Sequence, residues 1–396
     1  MMALRNQRLD VNDVLPADVG TAVLLGRVWR PDCAGPAVVT LRGDDLVDIT
    51  SRETPTVSAV CALDDPAGWV RAAPGEAVGS VTDIMANGDE AMRDDAQPWP
   101  LAPTDLQALK ASGVTFVVSL LERVIEEQAR GAPEKAVLIR ADLDRLIGAD
   151  LRSLRPGSEE AMAVKAALIG RGLWSQYLEV GIGPDAEIFT KGQPMSAVGF
   201  GAHIGIHPRS TWNNPEPEVV IVVSPAGGII GATLGNDVNL RDFEGRSALL
   251  LGKAKDNNAS CSLGPFIRLF DDRFGLDHIR RARLDLTVTG PDGFTLEGMS
   301  SMTEISRDPL DLVEAATGGN HQYPDGLVLM LGTMFAPTQD RDAPGEGFTH
   351  KPGDVVTVAS AQLGSLRNRV QICSDCAPWT FGATALMRNL SRRSLI

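Results

Sequence analysis

An acidic pair at the start of an apolar segment is the feature that most restricts how this chain folds. Glu216 and Glu218 stand two residues apart, and a Val-Val-Ile-Val-Val run follows them. In an extended strand, residues i and i+2 point to the same side, so both carboxylates face one way. Asp237 comes nineteen residues after Glu218, far enough to return on a neighbouring strand. Three such carboxylates without histidine or cysteine suit a hard cation (magnesium, manganese or calcium) and not zinc.

Composition restricts the partners of the protein. The chain has 396 residues, 43% hydrophobic and 22% charged, which fits a globular protein with one large and one smaller domain. Its formal charge of -14 argues against nucleic acid and against an anionic membrane surface. We expect neither a signal peptide nor a membrane span. A small anionic substrate is compatible, because a metal and a few lysines reverse the field inside one cleft.

The cysteines and histidines do not predict a second metal site. Five scattered cysteines give no disulfide framework and favour the cytoplasm. Cys373 and Cys376 form a Cys-x-x-Cys pair, which we interpret as two ordinary cysteines because no second ligand pair accompanies them, with a weak metal site as the alternative. His203 and His207 alternate along a predicted strand without a third partner, and we interpret them as structural or supporting residues.

Secondary-structure patterns divide the chain. Residues 1–75 carry β-type alternation, and the acidic segment from Ile84 to Pro100 is typical of a linker. Helices are predicted over 104–112, 118–130, 136–154 and 159–177. From residue 179 onward, short strands separated by Gly and Pro turns predict a mixed or antiparallel roll or barrel. Strands are expected at 219–224, 284–289, 327–330 and 355–363. We therefore expect an α+β protein with a β-rich accessory domain (1–100) and a catalytic domain (101–396).

Several ordered motifs resemble the fumarylacetoacetate hydrolase superfamily over residues 105–396. They are Asn-Pro-Glu-Pro-Glu at 214–218, Gly-Asn-Asp-Val-x-x-Arg-Asp at 235–242, Gly-Lys at 252–253, Ser-Leu-Gly-Pro-Phe-Ile at 262–267 and Gly-Thr at 332–333. A lone Glu-x-Glu carries little information, whereas the whole series at these spacings is specific. The resemblance implies a β-roll catalytic domain that forms a homodimer or homotetramer.

The same resemblance implies roles for individual residues. It implies that the metal ligands are Glu216, Glu218 and Asp237. It also implies that Lys253 and Thr333 bind the substrate, and Arg241 is expected to bind it too.

The reaction class follows from a departure from the family pattern. Hydrolysing and decarboxylating members usually carry Arg-Asn-Tyr-x-x-His-x-x-Glu, whose histidine and glutamate activate water. The corresponding stretch here, 118–127, has no histidine. The gap between Glu218 and Asp237 is also shorter than in the hydrolases. Both features resemble the branch that dehydrates 2-keto-3-deoxy sugar acids.

We therefore expect a magnesium-dependent lyase that dehydrates a small 2-keto-3-deoxy sugar acid. If the substrate is a pentonate, the product is 2-oxoglutarate semialdehyde. Dehydration needs a base at C3 and an acid near the C4 oxygen. Lys253 follows an apolar Leu-Leu-Leu-Gly run and is expected to have a buried stem. The other candidates are Lys191, Ser119 and Glu122. Lys191 fits a surface lysine equally well, and Glu122 fits a salt-bridged helix face.

Three other functions stay open at this point. A hydrolase that cleaves a carbon–carbon bond of an acylpyruvate or 2,4-diketo acid shares the metal site but needs activated water, for which Glu122 or Glu126 is available. An oxaloacetate-type decarboxylase is the second alternative, and an inactive metal-stabilised scaffold is the third. A hydrolase releases pyruvate or a similar acid, whereas a scaffold only binds metal.

Overall fold

A computed structural model describes residues 11–116, 120, 154–172, 175–333, 335, 337, 339–343 and 347–396. Its strands are β1 (Leu24–Arg30), β2 (Gly35–Arg42), β3 (Asp45–Asp48), β4 (Glu76–Ser80), β5 (Trp99–Leu101), β6 (Ala108–Gly113), β7 (Glu187–Gly192), β8 (His203–Ile206), β9 (Asn213–Asn214), β10 (Pro217–Val223), β11 (Ile229–Asp237), β12 (Asn239–Leu240), β13 (Cys261–Leu269), β14 (Arg283–Thr289), β15 (Thr295–Ser301), β16 (Leu327–Met330), β17 (Val355–Ser360) and β18 (Gly364–Ile372). Its α-helices are α1 (Val57–Cys61), α2 (Pro66–Ala72), α3 (Val81–Ala86), α4 (Glu159–Gly170), α5 (Gln176–Ile182), α6 (Arg241–Glu244), α7 (Leu251–Lys255), α8 (Leu276–Ile279), α9 (Pro309–Ala316) and α10 (Ala383–Arg392).

One large sheet combines strands from distant parts of the chain. Its order is β4-β3-β2-β1-β13-β11-β10-β16-β6-β7, and β5 pairs with β1. The β16–β6 pair is parallel, whereas β10 is antiparallel to both β11 and β16. Among the described residues the order runs from one edge strand to another without closing, so the sheet forms a roll and not a barrel. The expected α+β class is confirmed.

A second sheet, β15-β14-β17-β18-β8, covers one face of the large sheet. Val219 and Ile221 of β10 belong to the apolar core on that side. Val220 and Val222 point to the opposite face, where they join a second apolar cluster that includes α1 and α2. Because both faces of β10 are covered, its sequence is a continuous apolar run instead of an alternating one. Full burial of each such side chain stabilises the fold by about 1.5–3 kcal/mol.

The helix predicted over 104–112 is wrong, because residues Ala108–Gly113 form strand β6. This strand pairs with β16 on one side and with β7 on the other. Alanine, leucine and lysine favour a helix locally, but pairing on both sides satisfies the backbone groups and overrides that preference. The predicted linker 84–100 is also wrong in part, since it contains the end of α3 and the start of β5.

The remaining secondary-structure predictions have mixed outcomes. The helix predicted over 159–177 is found in part, since α4 ends at Gly170 and the following helix α5 starts only at Gln176. The four predicted strands correspond to β10, β14, β16 and β17. The helices predicted over 118–130 and 136–154 lie outside the described residues. All five cysteines are free thiols. Of the helices in the described part of the chain, none has both the length and the apolar character needed to cross a membrane.

A buried aspartate connects the first sixty residues to the segment after residue 100. Asp105 accepts hydrogen bonds from the backbone N–H of Val57 at 2.7 Å and of Ser58 at 2.9 Å, at the N-terminus of α1. Its carboxylate also attracts the buried Arg27, which donates to the carbonyls of Ala102 and Thr104. The domain boundary at residue 100 stays a prediction.

Asp105→Ala should destabilise the protein by about 3 kcal/mol, because it leaves the backbone N–H groups of Val57 and Ser58 without their acceptor and the buried Arg27 without its neighbouring negative charge. Urea unfolding followed by circular dichroism measures the change. Asp64→Ala removes an exposed carboxylate from the same region and should change stability by less than about 0.5 kcal/mol. Equal stability of the two variants would show that Asp105 does not fix this junction.

Candidate functional site

Three carboxylates meet at the open end of a β-hairpin. Glu216 directly precedes β10, Glu218 is its second residue, and Asp237 is the last residue of β11. The antiparallel register pairs Pro217 with Asn236, which places Asp237 beside the start of β10. One oxygen from each of the three side chains lies within 4.8 Å of the other two, and all three residues are buried. The structure therefore brings the three predicted ligands together, whereas their binding of a metal stays a prediction.

A buried lysine closes this carboxylate cluster. Lys255, the last residue of α7, is 3% exposed, and its Nζ donates to Glu216 Oε2 and, at 3.0 Å, to Asp237 Oδ2. Burial alone would lower the pKa of Lys255, but the charges of Asp237 and Glu216 outweigh burial and raise it. The ammonium group therefore stays protonated at neutral pH, and it acts as a hydrogen-bond donor.

A second lysine neutralises Asp237 from inside the protein. Lys191 is 1% exposed, and its Nζ lies 2.8 Å from Asp237 Oδ1. The same ammonium group donates to the carbonyls of Val238 and Lys255 and to Ser260 Oγ. These four contacts satisfy a charge that would otherwise be costly to bury. The alternative interpretation of Lys191 as a surface lysine is wrong.

Burial and the neighbouring negative charges both act against ionisation of Glu218. Burial raises its pKa well above 4.5, and the neighbouring charges of Asp237 and Glu216 raise it further. Lys255 and a hydrogen bond of 2.6 Å from the Gly332 backbone N–H to Glu218 Oε2 act in the opposite direction. Gly332 has a φ of +89°, a conformation that glycine adopts readily.

Asparagines of the 235–242 motif orient the cluster. Asn239 Nδ2 donates to Glu216 Oε1 at 3.0 Å and to Glu244 Oε2 at 2.6 Å. Asn236 Oδ1 accepts from the backbone N–H of Glu216 at 3.0 Å. Side-chain amides therefore fix both the backbone and the carboxylate of Glu216, and they connect this residue to a fourth carboxylate.

A cleft opens over the carboxylates and Lys255. Its other lining residues include two carboxylates, two hydroxyls and one aromatic ring, from Glu187, Glu244, Ser112, Thr333 and Phe189. Such a lining suits a small, polar ligand that exchanges protons with carboxylates.

The predicted substrate-binding residues occupy different positions. Thr333 lines the cleft, as a substrate-binding residue would. Lys253 is exposed, and its Nζ lies 5.5 Å from the ring centroid of Phe243, so the prediction that its stem is buried is wrong. Arg241 is half-buried, with its guanidinium 4.3 Å from the ring centroid of Trp212. Ser119 and Glu122 lie outside the described residues.

The sequence prediction named Lys253, whereas the lysine of α7 that lines the cleft is Lys255. Residues two apart on a helix point in nearly opposite directions, so Lys253 and Lys255 cannot both face the cleft. Burial of Ala254 and Lys255 identifies the inward side of this helix, and the sequence of so short a helix does not reveal that side. Glu187 was also missed, although it alternates with Phe189 and Lys191 along β7, a pattern that would place all three on one face.

Comparisons with known proteins agree with this architecture. Residues 181–371 match the family model "Fumarylacetoacetate (FAA) hydrolase C-terminal", so the resemblance predicted from the motifs is confirmed for this part of the chain. A protein of Haloferax volcanii named "Probable 2-keto-3-deoxyxylonate dehydratase" is 30% identical over 194 residues. A "2-dehydro-3-deoxy-D-arabinonate dehydratase" of Saccharolobus solfataricus is 28% identical over 204 residues. These matches cover 49% and 51% of this chain, and each spans 63% of the length of the relative.

Solved structures show the same fold. The apo form of a 2-keto-3-deoxy-D-arabinonate dehydratase superposes with a TM-score of 0.62 at 19% identity, over 88% of this chain and 99% of that chain. The form of that enzyme complexed with magnesium and 2,5-dioxopentanoate gives a TM-score of 0.61 at 19% identity and the same coverage. A fumarylacetoacetate hydrolase from Exiguobacterium antarcticum gives 0.52 at 16% identity, over 89% of this chain and all of that chain.

Glu218→Gln should stabilise the metal-free protein at neutral pH while keeping an acceptor for the Gly332 N–H. Because the folded-state pKa of Glu218 is raised, the wild type loses stability as the pH rises from about 4.5 through that pKa. The variant lacks this loss, so its melting temperature should exceed that of the wild type by about 2 °C or more at pH 7, and by little at pH 4. Thermal unfolding in EDTA at both pH values measures the difference. A constant difference across pH would contradict the assigned penalty.

Proposed function

We propose that the protein removes water from a 2-keto-3-deoxy sugar acid, with a divalent cation held by Glu216, Glu218 and Asp237. The observation that supports this proposal is the buried carboxylate triad closed by the protonated Lys255. The dehydratase names of the relatives and the magnesium in one structural neighbour agree with it. For a pentonate the product would be 2-oxoglutarate semialdehyde, which is 2,5-dioxopentanoate. Homo-oligomers and a cytoplasmic location stay predictions from the sequence.

Charge balance supports a divalent ion. The ionised triad carries three negative charges, and Lys191 and Lys255 offset two of them. A bound 2-keto acid adds one negative charge, which leaves two in total. A divalent cation makes the buried assembly neutral, whereas a monovalent cation would leave a net charge that is costly to bury. Oxygen ligands alone select a hard ion, for which we propose magnesium, with manganese or calcium as substitutes.

The residues of the cleft divide the proton transfers between them. A bound divalent ion would polarise the C2 keto group of the substrate and so acidify the C3 protons. Lys255, held protonated by its carboxylate neighbours, is proposed to donate a proton to the departing C4 hydroxyl. The C3 proton would go to a cleft carboxylate outside the triad, Glu187 or Glu244. Thr333 would hydrogen-bond the substrate carboxylate. The dehydrated product then tautomerises to the semialdehyde.

The direct test is an NMR time course with racemic 2-keto-3-deoxypentonate, with magnesium and with EDTA. We expect magnesium-dependent formation of 2-oxoglutarate semialdehyde. If the cleft is stereospecific, the enzyme consumes only one enantiomer of the racemate. Glu218→Gln, which is expected to fold, should give no product. Absence of this reaction, together with pyruvate release from a 2,4-diketo acid in the same assay, would replace the lyase with a hydrolase.

Two lysines two residues apart provide a matched pair of variants. Lys255→Met should reduce kcat by about 100-fold or more, because it removes a charge positioned at the reacting atoms. Lys253→Met should keep most of kcat at saturating substrate, because its side chain is exposed on the other side of α7. Circular dichroism in magnesium checks that both variants fold. A large loss of kcat in Lys253→Met alone would show that Lys253, and not Lys255, has the catalytic role.

A further inference from the structure

Two cationic side chains and a histidine gather around one aromatic ring beside the cleft, and a third cation follows the histidine in the chain. The guanidinium of Arg246 lies 4.6 Å from the ring centroid of Phe243, and Lys253 Nζ lies 5.5 Å from it. The His207 ring packs against the same phenyl group at 5.3 Å between centroids, and Arg209 follows two residues later. We call His207, Arg209, Arg246 and Lys253 the cationic rim.

The rim lacks matching carboxylates. Within the described part of the chain, no carboxylate lies within ion-pair distance of Arg209, Arg246 or Lys253, all of which are exposed. Two exposed arginines elsewhere do have such partners, in the pairs Arg71–Asp271 and Arg283–Asp285. Uncompensated like charges at one place favour an anion from solution.

Acidic groups near the rim are already engaged. Asp242 accepts hydrogen bonds from Ser210 Oγ at 2.7 Å and from the Thr211 backbone N–H at 3.0 Å. Glu244 accepts from Asn239. Burial lowers the pKa of His207, as do the charges of Lys253 and Arg209, and Asp242 opposes them only in part. At the His207 ring, the charges of Lys253 and Arg209 therefore outweigh that of Asp242.

The rim adjoins the cleft through two short helices. Arg246 is two residues after Glu244, and Lys253 is two residues before Lys255. Both Glu244 and Lys255 line the cleft. Two residues span at most about 7 Å of backbone, so the rim begins next to the cleft wall.

We propose that the cationic rim binds small carboxylate anions and steers the anionic 2-keto acid into the neighbouring cleft. The identity of the steered substrate rests on the proposed function. At a formal charge of -14 the whole molecule repels anions, and a local group of cations offsets that repulsion where the substrate enters. This role accounts for Lys253, which the sequence motif singles out although it does not face the carboxylates.

A charge-matched comparison of two triple variants tests the steering. The rim variant is Arg209→Gln/Arg246→Gln/Lys253→Gln. The control variant is Arg281→Gln/Arg388→Gln/Arg392→Gln, which removes three exposed arginines elsewhere and changes the net charge equally. At low ionic strength the rim variant should lose about tenfold in kcat/KM with kcat preserved, and salt should abolish the difference as it screens the field. The control variant should match the wild type. Equal losses in both variants, or none in the rim variant, would overturn the proposal.

A second measurement is independent of turnover. Sulfate is added as the anion probe at constant ionic strength, and the NMR resonances of the His207 ring protons are followed. His207 is one of five histidines, and the variant His207→Gln assigns its resonances. The resonance should shift saturably in the wild type and in the control variant, and much less in the rim variant. An unresponsive His207 in the wild type would overturn the anion site. If His207 responds normally but the protein dehydrates no sugar acid, anion binding at the rim is supported and the proposed function is rejected.

Discussion

Mutual repulsion of three buried carboxylates is the constraint on which the site depends. The hairpin register brings Glu216, Glu218 and Asp237 within 4.8 Å of one another, where each charge disfavours the others. Two lysines, one on each side of Asp237, offset most of this repulsion. Glu218 still carries a penalty, because burial and the charges of Asp237 and Glu216 raise its pKa. A site built this way is poised for a cation, because binding removes the remaining penalty.

Positive charge is distributed over two levels, and the two levels do different work. The inner lysines are buried and hydrogen-bonded to the carboxylates or to nearby carbonyls, so they set the local potential. The exposed cations of the rim are free to contact a ligand and are screened by salt. An acidic protein that uses an anionic substrate needs both levels. The inner charges make the carboxylate cluster tolerable, and the outer charges offset the repulsion that the rest of the molecule exerts.

The sequence predicted the parts of the site that depend on strand periodicity. The two-residue spacing of Glu216 and Glu218, and the return to Asp237, follow from the geometry of one hairpin. It did not predict parts that depend on which side of an element packs inward. Lys255 was missed for Lys253, because a five-residue helix has too little pattern to reveal its buried face. Strand β6 was taken for a helix, because its partners β7 and β16 are 74 or more residues away in the chain.

The N-terminal strands support the sheet that carries the carboxylate triad. All nine residues of β13 are buried, and β13 pairs with β11, the strand that carries Asp237. On its other side β13 pairs with β1. Without β1, this long apolar strand would form an edge with unpaired backbone groups, which favours slippage and aggregation. Strand β1 therefore protects this edge of β13. Through β13 and β11 it supports the hairpin that places Asp237 beside Glu216 and Glu218.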